Sequence, residues 1–332
     1  MRYRTIGTGA GAREVSAIAL GAMKLGGTVD EETSFAILDR FVEAGGTFID
    51  TSNNYMFWEP GCSPDDSETL IGRWRASRGI SDDEGLVIAT KFGARPTVPG
   101  GGMEHWEGLS AKAVTDAVAG SLERLGTSRI DLYYTHVEDR SVELEETLGA
   151  LAALVSDGVV AQIGASNHAA WRLERARGVS AAQGWPRYTV LQHRYSYLQP
   201  RFDVPLPELG HVHATADHLD FIREEESAGR STALVTYTTL LYGAYTRPDR
   251  QLPAAYDHPG TPARLAALKR VAAETGASPN QVVLAWLIDH DPAVIPLVGV
   301  STVAQVEEAV AAADLKLTAE QRELLNVAGT AS

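Results

Sequence analysis

Residues 130–167 read IDLYYTHVEDRSVELEETLGALAALVSDGVVAQIGASN, and this stretch decides the fold. Its two ends, Ile130–His136 and Val159–Ala165, are short apolar runs rich in β-branched residues, which is typical of buried strands. The segment between them, Leu144–Ser156, spaces its leucines as one face of a helix does. A strand, a helix and a second strand in this order form the unit from which parallel sheets are built.

The same alternation continues along the whole chain. Eight strand–helix units in 332 residues average about 41 residues each, which exceeds the roughly 30 residues that one such unit needs. The other predicted strands are Ser16–Leu20, Thr47–Asp50, Leu86–Lys91, Tyr188–Gln192, Ala233–Tyr237 and Val294–Val298. The other predicted helices of the alternation are Glu31–Ala44, Ser67–Arg78, Ala111–Leu125, Ala169–Arg177, Asp217–Ser227, Pro262–Thr275 and Val303–Ala312. Two further helices, Pro279–Ile288 and Ala319–Val327, fall outside it.

Two architectures accommodate eight such units, a closed barrel and an open doubly wound sheet. An open dinucleotide-binding sheet carries Gly-x-Gly-x-x-Gly directly after its first strand. The nearest match, at Gly7–Gly11, precedes the first barrel strand, lacks the third glycine at the right offset and opens no helix. We interpret it as the turn of a hairpin. We therefore predict a (β/α)8 TIM barrel with an N-terminal β-hairpin and extra C-terminal helices, forming a single domain over residues 1–332.

Local signals support several element boundaries. Ser110 precedes a helical run and is a candidate N-cap, and Ser278 followed by Pro279 is typical of a helix start. Gly45 and Gly126 each follow a predicted helix, where glycine commonly ends the helix in a left-handed conformation. The segment Leu198–Ala216 carries three prolines and two histidines without a clean period, which predicts a long loop.

Composition excludes several classes of protein. Hydrophobic residues make up 44% and charged residues 22%, which indicates a folded globular protein. The net charge of −14 argues against a nucleic-acid partner, and no apolar run has the ~18 residues of a membrane span. The start lacks the apolar stretch of a signal peptide, and the single cysteine, Cys62, excludes an internal disulfide. We expect a cytoplasmic protein without a metal site.

Polar side chains follow one predicted strand after another. Asp50 ends the second strand with Tyr55 five residues later, Lys91 ends the third, and His136 ends the fourth. In a parallel barrel, these strand ends meet at one face, where active sites lie. A lysine beside a tyrosine lowers the pKa of the phenol, an aspartate holds the lysine, and a histidine orients a carbonyl oxygen. Such a set protonates an oxygen on which charge develops, as in hydride addition from a cofactor to a carbonyl.

Each of these four residues also has a structural interpretation. Asp50 is suited to capping the turn that follows it, and Tyr55 to packing in a loop. For Lys91, the structural interpretation is a solvated lysine at the end of a strand. For His136, it is a core histidine whose hydrogen bonds are satisfied. The presence of all four residues favours a functional site over four separate structural roles, because a buried lysine or aspartate costs several kcal/mol unless it is paired.

The sequence resembles the aldo-keto reductase superfamily, in the branch that includes the potassium-channel β-subunits. The resemblance runs from the hairpin to about Val327 and rests on FIDTSNNY at 48–55, ATK at 89–91 and DLYYTH at 131–136. It implies a (β/α)8 barrel that binds an extended nicotinamide cofactor without a Rossmann domain. Tyr55 would be the general acid, with Asp50 and Lys91 lowering its pKa, and His136 would orient the substrate carbonyl.

The resemblance also implies a set of cofactor-binding residues. Ser166, Asn167 and Gln192 would bind the nicotinamide carboxamide, and Tyr237 would stack on the ring. The full implied cofactor set is Gly21, Met23, Asp50, Ser166, Asn167, Gln192, Tyr237, Thr238, Leu240, Gly299, Ser301, Gln305 and Glu308.

Two departures from the family pattern concern the cofactor's adenosine end. Many relatives have arginine or lysine where Ser301 stands and asparagine where Ala309 stands. The resemblance implies NADPH as the cofactor, and these two departures lead us to expect that NADH is also accepted. Arg194, beside Gln192, has two interpretations, a cofactor contact or an ion pair with a carboxylate, and the ion pair is favoured.

Met23, Tyr55, Trp58 and His136 are the expected substrate contacts, in a mostly apolar pocket. The expected partner is a small carbonyl compound or a sugar, handled by a monomer or homo-oligomer that reduces an aldehyde, ketone or keto-sugar. Oxidation of a polyol is a narrower alternative, with the Leu198–Ala216 loop shaping the site. A different class of function is a cofactor-sensing regulatory subunit of β-subunit type with little turnover.

Overall fold

A closed barrel of eight parallel strands forms the centre of the computed structural model, which describes residues 1–82, 85–99 and 101–330. The barrel strands are β3 (Ala19–Gly21), β4 (Phe48–Asp50), β5 (Val87–Phe92), β6 (Ile130–Thr135), β7 (Val160–Ser166), β8 (Val190–Arg194), β9 (Ala233–Tyr237) and β10 (Val294–Gly299). They follow one another around the barrel in chain order, and β10 closes it against β3. The predicted TIM-barrel fold is confirmed.

A separate antiparallel pair, β1 (Tyr3–Ile6) and β2 (Arg13–Ser16), precedes the barrel. It is the predicted hairpin, and a short 3-10 turn at Gly9–Gly11 lies between its strands. Ile6 and Val15 are buried together with Phe48 and other residues of the barrel interior, so the hairpin covers the end where the strands begin. The opposite end, where the strands finish, is left for polar residues, and we call it the mouth.

Helices surround the barrel. They are α1 (Glu31–Glu43), α2 (Asp66–Arg78), α3 (Ala111–Leu125), α4 (Leu144–Ser156), α5 (Ala170–Gln183), α6 (Ala216–Ser227), α7 (Gly260–Thr275), α8 (Pro279–Ile288), α9 (Val303–Ala312) and α10 (Ala319–Val327). Further 3-10 turns lie at Met103–His105, Leu241–Gly243 and Ala254–Tyr256. Within the described ranges, no helix is long and apolar enough to cross a membrane.

The predicted helix boundaries have the expected capping contacts. The side chain of Ser110 accepts a hydrogen bond from the amide of Ala113, and Ser278 forms a reciprocal capping box with Gln281 at the start of α8. Gly126 ends α3 in the left-handed region, with φ of 61°. These contacts satisfy amide and carbonyl groups that a helix end leaves without an intrahelical partner.

Several predicted boundaries were wrong by one or more residues. The run Ser16–Leu20 is split between β2 and β3, because the side chain of Ser16 bonds the carbonyl of Ile18 and the amide of Thr47 and turns the chain. The fourth barrel strand ends at Thr135 rather than His136. The fifth helix continues six residues beyond the predicted end, to Gln183, where Gly184 ends it in the left-handed region.

A buried carboxylate ties α2 and α3 to the barrel wall. Glu68 on α2 is fully buried, and its carboxylate accepts from Thr90 Oγ1 at 2.5 Å and from Arg124 Nε at 2.7 Å. Thr90 belongs to β5 and Arg124 to α3, so one side chain joins three elements at the residue that precedes Lys91. The charge of Glu68 also raises the pKa of Lys91.

We predict that Glu68→Ala lowers the free energy of unfolding by about 3 kcal/mol, because it leaves Arg124 Nε and the buried hydroxyl of Thr90 without their acceptor, although Arg124 keeps its ion pair with Asp65. Urea unfolding followed by circular dichroism measures the change. Glu123→Ala, an exposed position on α3, is the matched control and should leave the midpoint unchanged. Equal midpoints for Glu68→Ala and the wild type would contradict a stabilising role for Glu68.

Candidate active site

Three of the four predicted catalytic residues lie at the ends of neighbouring strands. Asp50 is the last residue of β4, Lys91 is the next-to-last residue of β5, and His136 directly follows β6. Because these strands are parallel neighbours, the three residues lie together at the mouth. Tyr55 stands in the loop after β4 and reaches back to the same place, where its hydroxyl meets Lys91.

The ammonium group of Lys91 uses all three of its donors. Nζ donates to Asp50 Oδ1 at 2.5 Å, to the Thr51 carbonyl at 2.7 Å and to Tyr55 Oη at 2.7 Å. The side chains of Lys91 and Asp50 are both fully buried. Burial lowers the pKa of Lys91, and the charge of Asp50 opposes that shift. The pairing with Asp50 therefore favours the charged form of the lysine.

Tyr55 differs from expectation in the direction of its pKa shift. Its hydroxyl accepts from Lys91 and lies 3.4 Å from Asp50 Oδ1. Sequence reasoning expected the pKa of Tyr55 to fall, but burial raises it well above the ordinary value, and the charge of Asp50 adds to the increase. The phenol therefore keeps its proton at neutral pH, which is the state that a proton donor requires.

The imidazole of His136 stands edge-on to the ring of Tyr55, with 6.0 Å between ring centroids. Its Nδ1 atom lies 3.1 Å from Ser52 Oγ, and its backbone amide bonds the carbonyl of Phe92. Burial holds the pKa of His136 well below its usual value, and the positive charge of Lys91 lowers it further. His136 is consequently neutral at physiological pH.

The loop that carries Tyr55 is fixed by contacts to the chain after β5. Asn53 Nδ2 donates to Glu107 Oε1 at 2.9 Å, and Asn54 Nδ2 donates to the carbonyl of Ala94 at 3.1 Å. Sequence reasoning assigned no role to Ser52, Asn54 or Glu107. The signal was the polar run of residues 52–54 ahead of Tyr55, but spacing alone does not say which neighbours such side chains bond.

The residues expected to bind the nicotinamide carboxamide are brought together at the ends of β7 and β8. Ser166 Oγ donates to the carbonyl of Gln192 at 2.9 Å, and Asn167 Nδ2 donates to Ser166 Oγ at 3.0 Å. Gln192 Nε2 donates to Asp50 Oδ2 at 2.8 Å, so this side chain supports the buried ion pair directly. Gln192 therefore connects the residues expected to bind the carboxamide with the ion pair of Asp50 and Lys91.

Asn167 already makes four hydrogen bonds within the protein. Its Oδ1 atom accepts from Tyr237 Oη at 2.6 Å and from the amide of Val212 at 3.0 Å. Its Nδ2 atom donates to the carbonyl of His136 and to Ser166 Oγ, each at 3.0 Å. An amide side chain offers two donors and two lone pairs, so this set is complete. A carboxamide bound to Asn167 therefore replaces one of these partners.

The expected adenosine-binding segment runs from the end of β10 into α9. Gly299 pairs in register with Gly21, and a Cβ at Gly299 would meet no described atom within 4 Å, so this edge leaves room for a ligand. Gln305 Oε1 accepts from the amide of Ser301 at 2.7 Å. Glu308 Oε1 accepts from Ser278 Oγ at 2.5 Å, which ties it to the start of α8.

The remaining predicted site residues lie around the mouth. Met23 is partly buried after β3, and Trp58 is 49% exposed, with its ring edge-on to Phe57. Thr238, directly after β9, has a positive φ of 55°, and Leu240 follows it in the same loop. A positive φ in a residue other than glycine is uncommon and typical of turns that carry function.

Arg194 is an ion-pair residue, as favoured from the sequence. It ends β8, is 1% exposed, and donates from Nη1 to Glu208 Oε2 at 2.8 Å. Glu208 belongs to the predicted loop Leu198–Ala216 and also accepts from Tyr242 Oη at 2.6 Å. The loop is thereby held against β8 and the turn after β9.

A profile of the Aldo/keto reductase family matches residues 17–328. The chain belongs to the aldo/keto reductase family. It is 32% identical to the norsolorinic acid reductase of Emericella nidulans, covering 96% of this chain and 79% of the relative. It is 29% identical to an aryl-alcohol dehydrogenase [NADP(+)] of Phanerodontia chrysosporium, covering 98% of this chain and 85% of the relative. It is 30% identical to an uncharacterized oxidoreductase of Bacillus subtilis, covering 94% of this chain and 91% of the relative.

Several histidines around the mouth of this aldo/keto reductase are buried and neutral, which predicts loss of stability in mild acid. Burial lowers the pKa of His168 and of His211 to about 4, and also lowers the pKa of His136, His193 and His218. The unfolded chain takes up these protons near pH 6.5, whereas the folded protein does not. The free energy of unfolding should therefore fall by about 1 kcal/mol for each deeply buried histidine between about pH 7 and pH 5.5.

Urea unfolding at a series of pH values measures this slope. His168→Gln should make the slope shallower, whereas His105→Gln, at an exposed loop position, should leave it unchanged. A free energy of unfolding that stays constant over this range would show that the histidines titrate normally. Glu107 and Asp131, whose pKa values burial raises, oppose the trend but are outnumbered.

Proposed function

We propose that this aldo/keto reductase is an NAD(P)H-dependent enzyme that reduces the carbonyl of an aldehyde, ketone or keto-sugar to the alcohol, with Tyr55 as the general acid. The observation that carries the proposal is the 2.7 Å contact between Lys91 Nζ and Tyr55 Oη, with Asp50 bonded to the same ammonium. Membership of the family supports carbonyl reduction as the reaction, and this contact supports Tyr55 as the proton donor.

The chemistry of the three side chains fits reduction. The nicotinamide cofactor, when bound, supplies the hydride to the carbonyl carbon. Negative charge then develops on the carbonyl oxygen, and the protonated phenol of Tyr55 neutralises it. The phenolate left behind faces the ammonium of Lys91, which stabilises it at hydrogen-bonding distance. Asp50 keeps that ammonium charged, so Asp50 acts on Tyr55 through Lys91.

NADPH is the proposed cofactor, with NADH also accepted. A relative named for NADP(+) supports NADPH. NADPH differs from NADH by a 2′-phosphate, to which arginine and lysine make strong contacts. Position 301 carries a serine and no basic side chain, which supports acceptance of NADH. The residues proposed to hold the cofactor are Gly21, Met23, Asp50, Ser166, Asn167, Gln192, Tyr237, Thr238, Leu240, Gly299, Ser301, Gln305 and Glu308.

Substrate and compartment are also part of the proposal. Met23, Tyr55, Trp58 and His136 line the proposed substrate pocket. The names of the relatives support aromatic aldehydes and ketones as the first compounds to test. The acidic net charge of −14 supports a small-molecule partner rather than a nucleic acid or a membrane surface. We propose a cytoplasmic enzyme that acts as a monomer or homo-oligomer.

Tyr55→Phe should lower kcat by about a hundredfold or more, because the phenyl ring keeps its place but donates no proton. Steady-state assays on a panel of aromatic aldehydes, aliphatic ketones and keto-sugars, run with NADPH and with NADH, measure the effect. The wild type should turn over members of the panel with both cofactors. Fluorescence titration should give the same cofactor Kd for Tyr55→Phe and the wild type.

Tyr3→Phe is the matched control, since it removes an exposed tyrosine hydroxyl on the hairpin, and its activity should equal that of the wild type. Wild-type rates in Tyr55→Phe would show that Tyr55 is not the acid. Tight cofactor binding without turnover on any member of the panel would favour the regulatory-subunit alternative.

A further inference from the structure

One carboxylate oxygen bonds two segments of the mouth. Glu107 Oε1 accepts from Asn53 Nδ2 at 2.9 Å and from the amide of Gly93 at 2.6 Å. The amide of Arg95 approaches the same oxygen at 3.4 Å. Burial raises the pKa of Glu107, but because all of these donors face Oε1, this oxygen accepts whether or not the carboxyl group is protonated. A single oxygen therefore joins the loop after β4 to the chain after β5.

The two joined segments are those that carry Lys91 and Tyr55. Gly93 lies two residues after Lys91, and Asn53 lies two residues before Tyr55. The amide of Asn53 also donates to the carbonyl of Lys91 at 3.1 Å. Because one oxygen of Glu107 bonds both Gly93 and Asn53, it fixes the separation of the loop from β5. That separation determines the distance between Lys91 Nζ and Tyr55 Oη.

The backbone of Glu107 is itself held by pairing with the chain after β5. Its amide donates to the carbonyl of Arg95 at 2.9 Å. The neighbouring residues Pro96 and Trp106 pair as an antiparallel bridge. The carboxylate of Glu107 therefore projects from a fixed backbone position, which a group that positions another segment requires.

The orientation of Asn53 is set by the same bond. Asn53 is 1% exposed, and Nδ2 is the end that faces Glu107, because an amide oxygen there would stand against the carboxylate oxygen. Among the described residues, the buried Oδ1 atom of Asn53 has no hydrogen-bond partner. A buried acceptor without a partner destabilises the fold. The asparagine therefore indicates that this position requires the bond from Nδ2 to Glu107.

We propose that Glu107 is a positioning residue for the proton donor, and that it acts through Asn53 to hold Tyr55 Oη against Lys91 Nζ. This inference rests on the proposed function, since it concerns the acid of that reaction. The contact of 2.7 Å between Lys91 and Tyr55 tolerates little change, because a misplacement of ~1 Å lowers the rate of a catalytic step strongly. Loss of Glu107 should therefore lower kcat and leave cofactor binding unchanged.

Glu107→Ala and Asn53→Ala break the same bond from its two ends. Each should lower kcat by about tenfold or more for a compound that the wild type reduces, with an unchanged Kd for the cofactor. The double variant should lose no more than either single variant, because the bond is lost only once. Wild-type kcat in Glu107→Ala would overturn the proposal. Losses that multiply in the double variant would overturn action through Asn53.

Glu107→Gln tests whether the accepting oxygen carries the effect. It should restore about half of the wild-type kcat or more, because its amide oxygen can take the place of Oε1 and accept the same bonds. A loss as large as that of Glu107→Ala would overturn the proposal.

Asp139→Ala is the matched control. Asp139 Oδ2 accepts from the amide of Leu109 at 3.1 Å, so it holds the chain just beyond Glu107. Among the described residues, it bonds none in the loop that carries Tyr55. Asp139→Ala should keep the wild-type kcat even where it lowers the melting temperature.

The position of Tyr55 also has a readout that needs no turnover. In protein labelled with isotopically enriched tyrosine, the ring NMR signal that disappears in Tyr55→Phe is that of Tyr55. Glu107→Ala should shift or broaden this signal, whereas Glu107→Gln and Asp139→Ala should leave it in place. Asn53→Ala replaces Glu107→Ala if the latter does not fold.

An unmoved Tyr55 signal in the folded variant would overturn the proposal. If no aldehyde, ketone or keto-sugar of the panel is reduced with either cofactor, the proposed function fails. The tyrosine spectrum still decides by itself whether Glu107 positions Tyr55.

Discussion

The mouth of the barrel depends on one buried ion pair, between Asp50 and Lys91. Removing both charges from water costs several kcal/mol for each ion, and a single contact of 2.5 Å does not offset that alone. The protein adds bonds from Lys91 to Thr51 and Tyr55 and a bond from Gln192 to the second oxygen of Asp50. An ion pair satisfied in this way fixes where Tyr55 must stand.

The surrounding elements maintain this arrangement. Glu68 bonds the residue before Lys91 and favours the charged form of the lysine, while Asn53 and Asn54 hold the loop that carries Tyr55. The end of the barrel covered by the hairpin is packed mainly with apolar side chains, whereas the buried ion pair and its hydrogen-bond partners lie at the mouth. This division explains why one end of the barrel carries the chemistry and the other the stability.

Much of this was predictable from the sequence. The alternation around residues 130–167 predicted the barrel, because strand and helix periodicity are local properties of the chain. Asp50, Lys91 and His136 were identifiable because parallel strands bring their ends to one place. The pairing of Arg194 with a carboxylate was also favoured in advance, although the partner, Glu208, lies in a loop without periodicity.

Other features depend on side-chain contacts that no local pattern encodes. The break at Ala17 and Ile18 arises because the side chain of Ser16 bonds both the carbonyl of Ile18 and the amide of Thr47. The complete hydrogen bonding of Asn167 requires Val212 and Tyr237, which are distant in sequence. The upward pKa shift of Tyr55 depends on its burial, which a motif does not report.

The central claim is that the Asp50–Lys91 pair makes Tyr55 an effective proton donor. The most direct measurement is the single-turnover rate of cofactor oxidation in Asp50→Asn, followed by stopped-flow fluorescence with a ketone that the wild type reduces. The account predicts a rate lower by about a hundredfold or more, with an unchanged circular dichroism spectrum. Asp131→Asn, which alters a partly buried carboxylate at the start of β6, should retain the wild-type rate. An unaltered rate in Asp50→Asn would contradict the account.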